Sequence, residues 1–323
     1  MPHMLPLIAV LITLVLSPTK PAADVSRTGS DFCSRSIARL DIHDRIHRQD
    51  ADAVARALAC REGSHTMIML NSPGGSVQAA LAIAEALREN ALDGGDSISV
   101  NVRSDYRCHS ACALVFAAGP YKSNHGVVGL HRPYFTGFQG EDIADSFRAL
   151  RDRLDAFARS YGLSSAFVDE MMVTDSDDVA IYRGEGIFDL VPREDPVVEH
   201  RRIEREAAYH HTDPASMRAR KQRARERCGD LPRGQGESAM DRWTTCRRAA
   251  EWGVSTKRFR AHRAQIERCF RQHSAKQARG DCVHRALTRS TPRGTTSGSA
   301  VDGPFEVDNS DLFEGLPDRA GSR

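Results

Sequence analysis

Short apolar runs alternate with amphipathic stretches between Asp24 and about Val198, and this alternation restricts the fold more than any other feature of the sequence. Apolar or β-branched runs predict strands over three segments: 66–70, 97–102 and 127–130. Apolar residues at helical spacing predict helices over three others: 76–90, 112–118 and 141–161. Because strands that alternate with helices are joined by crossover connections, the pattern predicts an α/β fold with a mainly parallel sheet.

The composition changes abruptly after Pro196. Residues 201–290 contain 23 Lys and Arg residues against 10 Asp and Glu, whereas the rest of the chain contains 22 against 33. An acidic body is therefore followed by a basic segment, although the net charge of the whole chain is only +2. We predict a catalytic-type domain over 24–198 and a basic module over 199–289. A mean hydropathy of −0.46 excludes a polytopic membrane protein.

The basic module contains two cysteine pairs, each in a helix-favouring segment around a glycine-containing break. The pairs are Cys228 with Cys246 and Cys269 with Cys282. They predict a small α-helical module of two hairpins, each closed by one disulfide. The candidates for its core are Trp243, Trp252 and Phe270.

The arginines of 199–289 have two interpretations. A basic surface can bind nucleic acid, anionic lipid or a partner protein. Arginines on a solvated helical surface need no ligand, and with only five Lys in the chain the bias fits a general use of Arg in place of Lys. We favour the solvated surface. The residues that follow, 290–323, are dominated by Gly, Ser, Thr, Pro and Asp, and we predict a disordered tail because they cannot bury enough apolar surface.

The amino-terminal segment predicts export. Residues 5–16 form an apolar run that is too short to span a bilayer, and a breaker-rich stretch follows it, so 1–23 is predicted to be a signal peptide. No Lys or Arg precedes the run, which leaves an uncleaved anchor open. A periplasmic or secreted location favours disulfides among the eight cysteines. Three pairings remain open for Cys33, Cys60, Cys108 and Cys112. The alternative for Cys108 and Cys112 is that they are unpaired and packed as small apolar side chains.

A Gly-Gly turn follows the first of the three predicted strands. Asn71-Ser-Pro-Gly-Gly-Ser-Val77 ends that strand and opens a helix, so Gly74 and Gly75 place bare backbone N–H groups at a helix N-terminus. Such a turn binds a phosphate or the oxyanion of an acyl-transfer intermediate. The alternative is a turn without a ligand.

Two further side chains occupy similar junctions. Ser110, in Cys108-His-Ser-Ala-Cys112, precedes an apolar helix, where its hydroxyl is exposed at a strand end. His131 follows a short strand and is a candidate general base. The alternatives are an N-cap serine and a structural histidine. A zinc site of Cys108, His109 and Cys112 is a further alternative.

The order of these motifs resembles the proteolytic subunit of the Clp-type serine proteases, in the Clp/crotonase superfamily. The likeness covers roughly residues 66–191: the Gly-Gly turn, then Ser110 nine residues before Gly119, then His131-Arg-Pro, then Gly137-Phe-Gln-Gly140. It implies a spiral of ββα units. It also implies Ser110 as nucleophile and His131 as base, with oxyanion donors in Gly74, Gly75 and Ala111. For the third member we favour Asp178, with Asp177 and Asp175 as alternatives.

The resemblance implies a serine hydrolase of the peptidase type that acts on peptides or proteins, and the predicted signal peptide makes it an exported one. We expect it to work without ATP or an ATPase partner, because the exported compartment lacks ATP, and without a cofactor. The resemblance also implies a homo-oligomer formed through helix 141–161. A Ser-Lys dyad is disfavoured because Lys122 is the only lysine between Asp24 and His200. An acyl-CoA enzyme is disfavoured because no coenzyme site is recognisable. The class-different alternative is an inactive Clp-like scaffold that binds peptides or partners.

Overall fold

The computed structural model describes residues 25–27, 32–33, 37–60, 65–93, 97–134, 141–229 and 237–288. The chain divides into two compact units, Met1–Val198 and Glu199–Arg323. The predicted signal peptide, the predicted tail and the segment 137–140 lie outside the described residues. Among the helices of the described ranges, none is long and apolar enough to cross a membrane.

The first unit contains strands and helices in alternation. Its strands are β1 (Val25–Arg27), β2 (Ile37–His43), β3 (His65–Asn71), β4 (Ser97–Val102), β5 (Arg107–His109), β6 (Tyr121–Asn124), β7 (Val127–Leu130) and β8 (Ala180–Arg183). Its helices are α1 (Arg48–Ala59), α2 (Val77–Leu92), α3 (Ala111–Ala118), α4 (Glu141–Tyr161), α5 (Ser165–Val173) and the 3₁₀ helix η1 (Gly184–Asp189).

The strands form two sheets. The larger has the order β1-β2-β3-β4-β6, in which β1 is antiparallel to β2 and all other neighbours are parallel. The smaller has the order β5-β7-β8, with β5 and β7 parallel and β8 antiparallel to β7. The predicted α/β class with a mainly parallel sheet is confirmed.

Buried aliphatic side chains hold the register of the larger sheet. Leu40, Ile68 and Val100 are partners across β2, β3 and β4, and all three are fully buried. A slip of one residue would turn each apolar set to the opposite face, so the register is strongly specified. The carboxyl ends of these strands are therefore held in one line, and the loops after them emerge at one edge.

Helix α3 is the most apolar element of the unit. All eight of its residues are buried, including Phe116, whose ring centroid lies 6.1 Å from that of Phe188. A short helix that is apolar on every side is stable only inside a core. The residue that precedes α3 is consequently anchored to the interior of the unit.

Helix α4 has the predicted bounds, and its carboxyl-terminal half packs inside the unit. Leu154 and Phe157 are buried in the core, while Phe147 and Leu150 are only partly buried. Part of the apolar stripe is thus already covered within one chain. A homo-oligomer formed through this helix stays a prediction.

The second part of the chain is helical over its described residues. Its helices are α6 (Pro196–Tyr209), α7 (Pro214–Cys228), α8 (Glu237–Trp252), α9 (Thr256–Ala261), α10 (Arg263–Gln272) and α11 (Lys276–Thr288). Disulfides join Cys228 to Cys246 and Cys269 to Cys282, as predicted. Each bond connects two consecutive helices, α7 with α8 and α10 with α11, which gives the two predicted hairpins.

Two details of the second hairpin differ from the prediction. The break between α10 and α11 lies at 273–275, and Gly280 lies inside α11, where an added Cβ would stand 2.6 Å from the Tyr209 carbonyl oxygen. Phe270 is 43% exposed and is not a core residue. Ile266 and Cys269 point inward, and the next position on a helix is rotated by about 100° away from Cys269.

Candidate active site

Three chain segments run side by side in parallel at the candidate site. Ser72, just after β3, bridges to Cys108 of β5, and Cys108 is the partner of Val128 in β7. The Ser110 backbone N–H donates to the Gly129 carbonyl at 2.8 Å. Because the three segments point the same way, the residues that follow them meet at one edge. The structure thereby brings the Gly-Gly turn, Ser110 and His131 to neighbouring positions.

The glycines of the turn permit a close backbone approach to Ser110. Gly74 and Gly75 have φ values of +102° and +146°. A Cβ added to Gly74 would lie 2.7 Å from the Ser110 Cβ and 2.7 Å from the His109 carbonyl oxygen. Side chains other than hydrogen are excluded there by both backbone conformation and contact. The turn is therefore more than a connection, since it is fitted against the candidate nucleophile.

Ser110 has a strained backbone. Its φ of 55° and ψ of −124° are far from the conformations that L-residues ordinarily adopt. Its side chain makes no capping hydrogen bond to α3, in contrast to Ser164, which accepts from an N–H at the start of α5. Ser110 occupies the N-cap position of α3, as the N-cap interpretation expects, but its hydroxyl does not cap the helix. Such strain, of order 1–3 kcal/mol, is typical of functional positions.

Two backbone N–H groups beside Ser110 have no acceptor among the described residues. One is that of Gly75 and the other is that of Ala111, the first residue of α3. Gly74 lies against Ala111, because its added Cβ would be 3.1 Å from the Ala111 nitrogen. Unpaired N–H groups next to a hydroxyl are the components of an oxyanion hole.

His131 follows β7 and is 9% exposed, like Ser110. Its Nδ1 lies 3.0 Å from the Arg132 carbonyl oxygen. When Nδ1 carries the proton and donates it to this carbonyl, Nε2 has a free lone pair, as a general base requires. The hydrogen bonds of the described residues do not include one between Ser110 and His131.

The acidic cluster 175–178 is not joined to His131. Asp175 forms an ion pair with Arg132 at 2.8 Å, and Asp178 accepts from the Val179 N–H at 2.8 Å. The Asp177 N–H and the Arg132 guanidinium hold the pKa of Asp175 below its usual value. No described carboxylate forms a hydrogen bond or ion pair with the His131 ring. The assignment of Asp178, or of Asp177, as third member stays a prediction.

A disulfide brackets the candidate nucleophile. Cys108 and Cys112 are bonded to each other and fully buried, and the remaining pair is Cys33 with Cys60, which settles the pairing that the sequence left open. Since both sulfurs near Ser110 are in a disulfide, the zinc alternative is wrong: neither can be a thiolate ligand. The bond connects β5 to the first turn of α3 and so spans the strained residue.

His109 packs beside the site. Its ring lies over Gly129, where an added Cβ would be 2.7 Å from the His109 Cδ2, and its Nε2 is buried without a partner among the described residues. Burial lowers the pKa of His109, and the charges of Arg107 and His131 lower it further. The two histidines are therefore within electrostatic reach of each other.

A cleft of about 360 Å³ opens onto Ser110. It is lined by Arg45, Gly75, Ser76, Val77, Gln78, Ser110, Pro133, Tyr134, Leu150 and Arg153. The sequence patterns did not indicate the two arginines or Tyr134 as site residues. The sequence could have indicated Arg45, because it lies just beyond the carboxyl end of β2, at the edge where the parallel strands end. It could not have indicated Arg153, since Arg153 is one of several arginines along α4.

Lys122 lies outside this cleft. It is 7% exposed, and its Nζ donates to the Gly119 carbonyl at 2.6 Å. Burial lowers its pKa to about 7, against the opposing effect of Asp195. A lysine base at Ser110 is not supported by this placement.

Comparison of the chain with protein-family models and with curated proteins finds no match. The resemblance to the Clp-type proteases, including the spiral of ββα units, therefore rests on the motifs themselves.

Proposed function

We propose that the chain is an exported serine hydrolase, of the peptidase type, in which Ser110 is the nucleophile and His131 the base. It would work without ATP, because an exported enzyme acts in a compartment that lacks it. The four disulfides fit an oxidising compartment. The motif order supports the finer assignment to a Clp-like fold.

One observation carries the proposal. Ser110 is a non-glycine residue with a strained backbone at a strand-to-helix junction, its hydroxyl is not used as a cap, and it lines a cleft. The same junction is typical of nucleophiles that project from a sheet edge. A serine that only ended a strand would have no reason to retain this conformation.

The chemistry follows from the neighbouring groups. The Ser110 Oγ attacks the substrate carbonyl carbon while its proton passes to the His131 Nε2. The N–H groups of Gly75 and Ala111 stabilise the resulting oxyanion. The imidazolium then returns the proton to the leaving amine as the C–N bond breaks. Water, deprotonated by His131, cleaves the acyl-enzyme and regenerates Ser110.

The Arg132 carbonyl supports this role of His131. A carbonyl that accepts from Nδ1 fixes the tautomer of the ring, which is one of the tasks of the aspartate in a triad. Catalytic hydrogen bonds are often long before substrate binds and shorten in the complex. The proposal requires the Ser110 hydroxyl and the His131 Nε2 to come within hydrogen-bond distance in the substrate complex.

A second candidate function is a peptide-binding scaffold without catalysis. It is favoured by one specific observation: His131 is bonded neither to Ser110 nor to a described carboxylate. In that case the cleft would bind peptides, and the strained serine would have no nucleophilic reactivity.

Covalent labelling separates the two functions. The mature protein is treated with a fluorophosphonate probe at several pH values between about 6 and 9, so that a histidine base is tested on both sides of neutrality. We expect labelling of the wild type and none of Ser110→Ala. His131→Ala should slow labelling by a factor on the order of 10³, since nucleophile and base act together.

Ser164→Ala is the matched control. Ser164 also precedes a helix, but its hydroxyl caps α5 and it does not line the cleft. This variant should label like the wild type. A wild-type protein that stays unlabelled throughout the pH range would favour the scaffold.

A further inference from the structure

Among the described residues that line the cleft next to Ser110, the charged side chains are all positive. The charged lining residues are Arg45, in the loop after β2, and Arg153, on α4. The other lining residues are neutral, and no carboxylate is among them. This is unexpected for a region whose overall composition is acidic. The electrostatic potential that these residues create in the cleft is therefore positive, whereas the composition of the surrounding unit is acidic.

Among the described residues, no carboxylate neutralises the two guanidinium groups of the cleft. The Arg45 Nη2 donates to the Tyr134 hydroxyl at 2.7 Å, which is a neutral acceptor. Neither Arg45 nor Arg153 forms an ion pair within the described parts of the chain. Neighbouring arginines of α4 do: Arg148 pairs with Asp145, and Arg151 pairs with Asp155 and Asp169. A guanidinium without a carboxylate has donors to offer a ligand.

The beginning of α2 adds to the same positive potential. Val77 and Gln78 line the cleft and belong to the first turn of this 16-residue helix, whose N-cap is Ser76. The N-terminus of a helix carries a partial positive charge and favours anions. The helix end alone would not define a site, but it has the same sign as the two guanidinium groups.

We propose that the cleft selects substrates that carry a carboxylate close to the scissile bond. The inference rests on the proposed hydrolase function and names its substrate class. The carboxylate can be an acidic side chain or the free carboxyl end of a peptide, and both present the same planar anion to Arg45 and Arg153. Val77, Pro133 and Leu150 would contact the apolar part of the substrate.

Protection of Ser110 from a neutral fluorophosphonate tests the inference on the full mature chain. Three competing peptides of equal length differ in one group each. The first has a Glu and an amidated end, the second a Gln and an amidated end, and the third a Gln and a free carboxylate. We expect either carboxylate peptide to protect at a concentration about tenfold lower than the neutral peptide, as a charge-assisted hydrogen bond allows.

Substitutions of single arginines test which residues cause the preference for carboxylate peptides. Arg45→Gln and Arg153→Gln should each reduce the preference several-fold, and Arg153→Lys should keep part of it. Arg148→Gln, on the same helix but outside the cleft, should leave it unchanged. A far-UV circular dichroism spectrum and a melting temperature equal to those of the wild type show that each variant is folded.

The outcomes separate the two proposals. A wild type that labels but is protected equally by all three peptides would overturn the carboxylate preference and leave the hydrolase in place. Loss of the preference in Arg148→Gln would overturn it too, because the effect would then be one of general charge. A wild type that never labels would overturn both.

Discussion

The two units of the chain are stabilised by different means. In the first unit one continuous hydrophobic cluster joins both sheets to the helices, with α3 buried in it on every side. In the second unit the described residues contain two small clusters, of six and three buried residues, together with two disulfides. Ion pairs such as Arg202 with Glu199 and Glu206 add to these.

This difference between the units shows which of them can maintain a strained backbone conformation. A large core can maintain an unfavourable backbone such as that of Ser110, because many buried contacts depend on the same arrangement. A unit with small clusters buries less apolar surface to offset the conformational entropy that the chain loses on folding. Disulfides reduce that loss because they restrict the unfolded chain. The candidate active site accordingly lies in the first unit. Each unit contains two disulfides, but only in the second does each disulfide close a helical hairpin beside a small cluster.

The largest expected effect tests the core of the first unit. Phe116→Ala removes a fully buried ring, and we expect the free energy of unfolding to fall by about 3–5 kcal/mol because a cavity remains. Denaturant titration followed by hydrogen exchange of each unit measures it. Phe270→Ala, at an exposed ring of the second unit, is the control and should cost far less. Equal losses would contradict the contrast between the units.

The next effect tests the disulfides. Cys269 and Cys282 are 13 residues apart, and replacing both by Ala should remove about 3 kcal/mol of stability from the second unit. We expect α10 and α11 to lose their protection in hydrogen exchange, because the cluster around them is small. Replacing Cys33 and Cys60 is the comparison: the first unit should remain folded. Retained protection of α10 and α11 would mean that the small cluster suffices.

The smallest effect is a pH dependence of the second unit. His210 lies in van der Waals reach of Trp252, with ring centroids 4.4 Å apart, and burial lowers its pKa from 6.5 to about 4. Between these values the unfolded chain binds a proton that the folded unit does not. The second unit should therefore lose on the order of 2 kcal/mol as the pH falls from about 6.5 to 4.

His210→Leu should remove this acid sensitivity, which thermal unfolding at several pH values measures. His125→Leu, at an exposed histidine of the first unit, should leave it in place. Acid sensitivity that persists in His210→Leu would assign the effect to another group.

Local patterns predicted much of the fold. The strands 97–102 and 127–130 and the helix 141–161 have the predicted bounds, because side-chain periodicity over a few residues reflects which face is buried. The strand over 107–109 was missed, since Arg-Cys-His has no apolar pattern and pairs only because β7 lies beside it. Phe270 was misassigned for a related reason: an aromatic residue predicts burial only when its helix face is known.

The sequence by itself determined the two cysteine hairpins and the junctions that hold the Gly-Gly turn, Ser110 and His131, because each depends on a few neighbouring residues. Only the tertiary structure decided the left-handed backbone of Ser110, the Cys108–Cys112 bond and the pairing of Asp175 with Arg132 in place of His131. It also decided that Arg45 and Arg153 line one cleft. These features join segments far apart in the chain, and their geometry follows from strand register and core packing, which no local pattern contains.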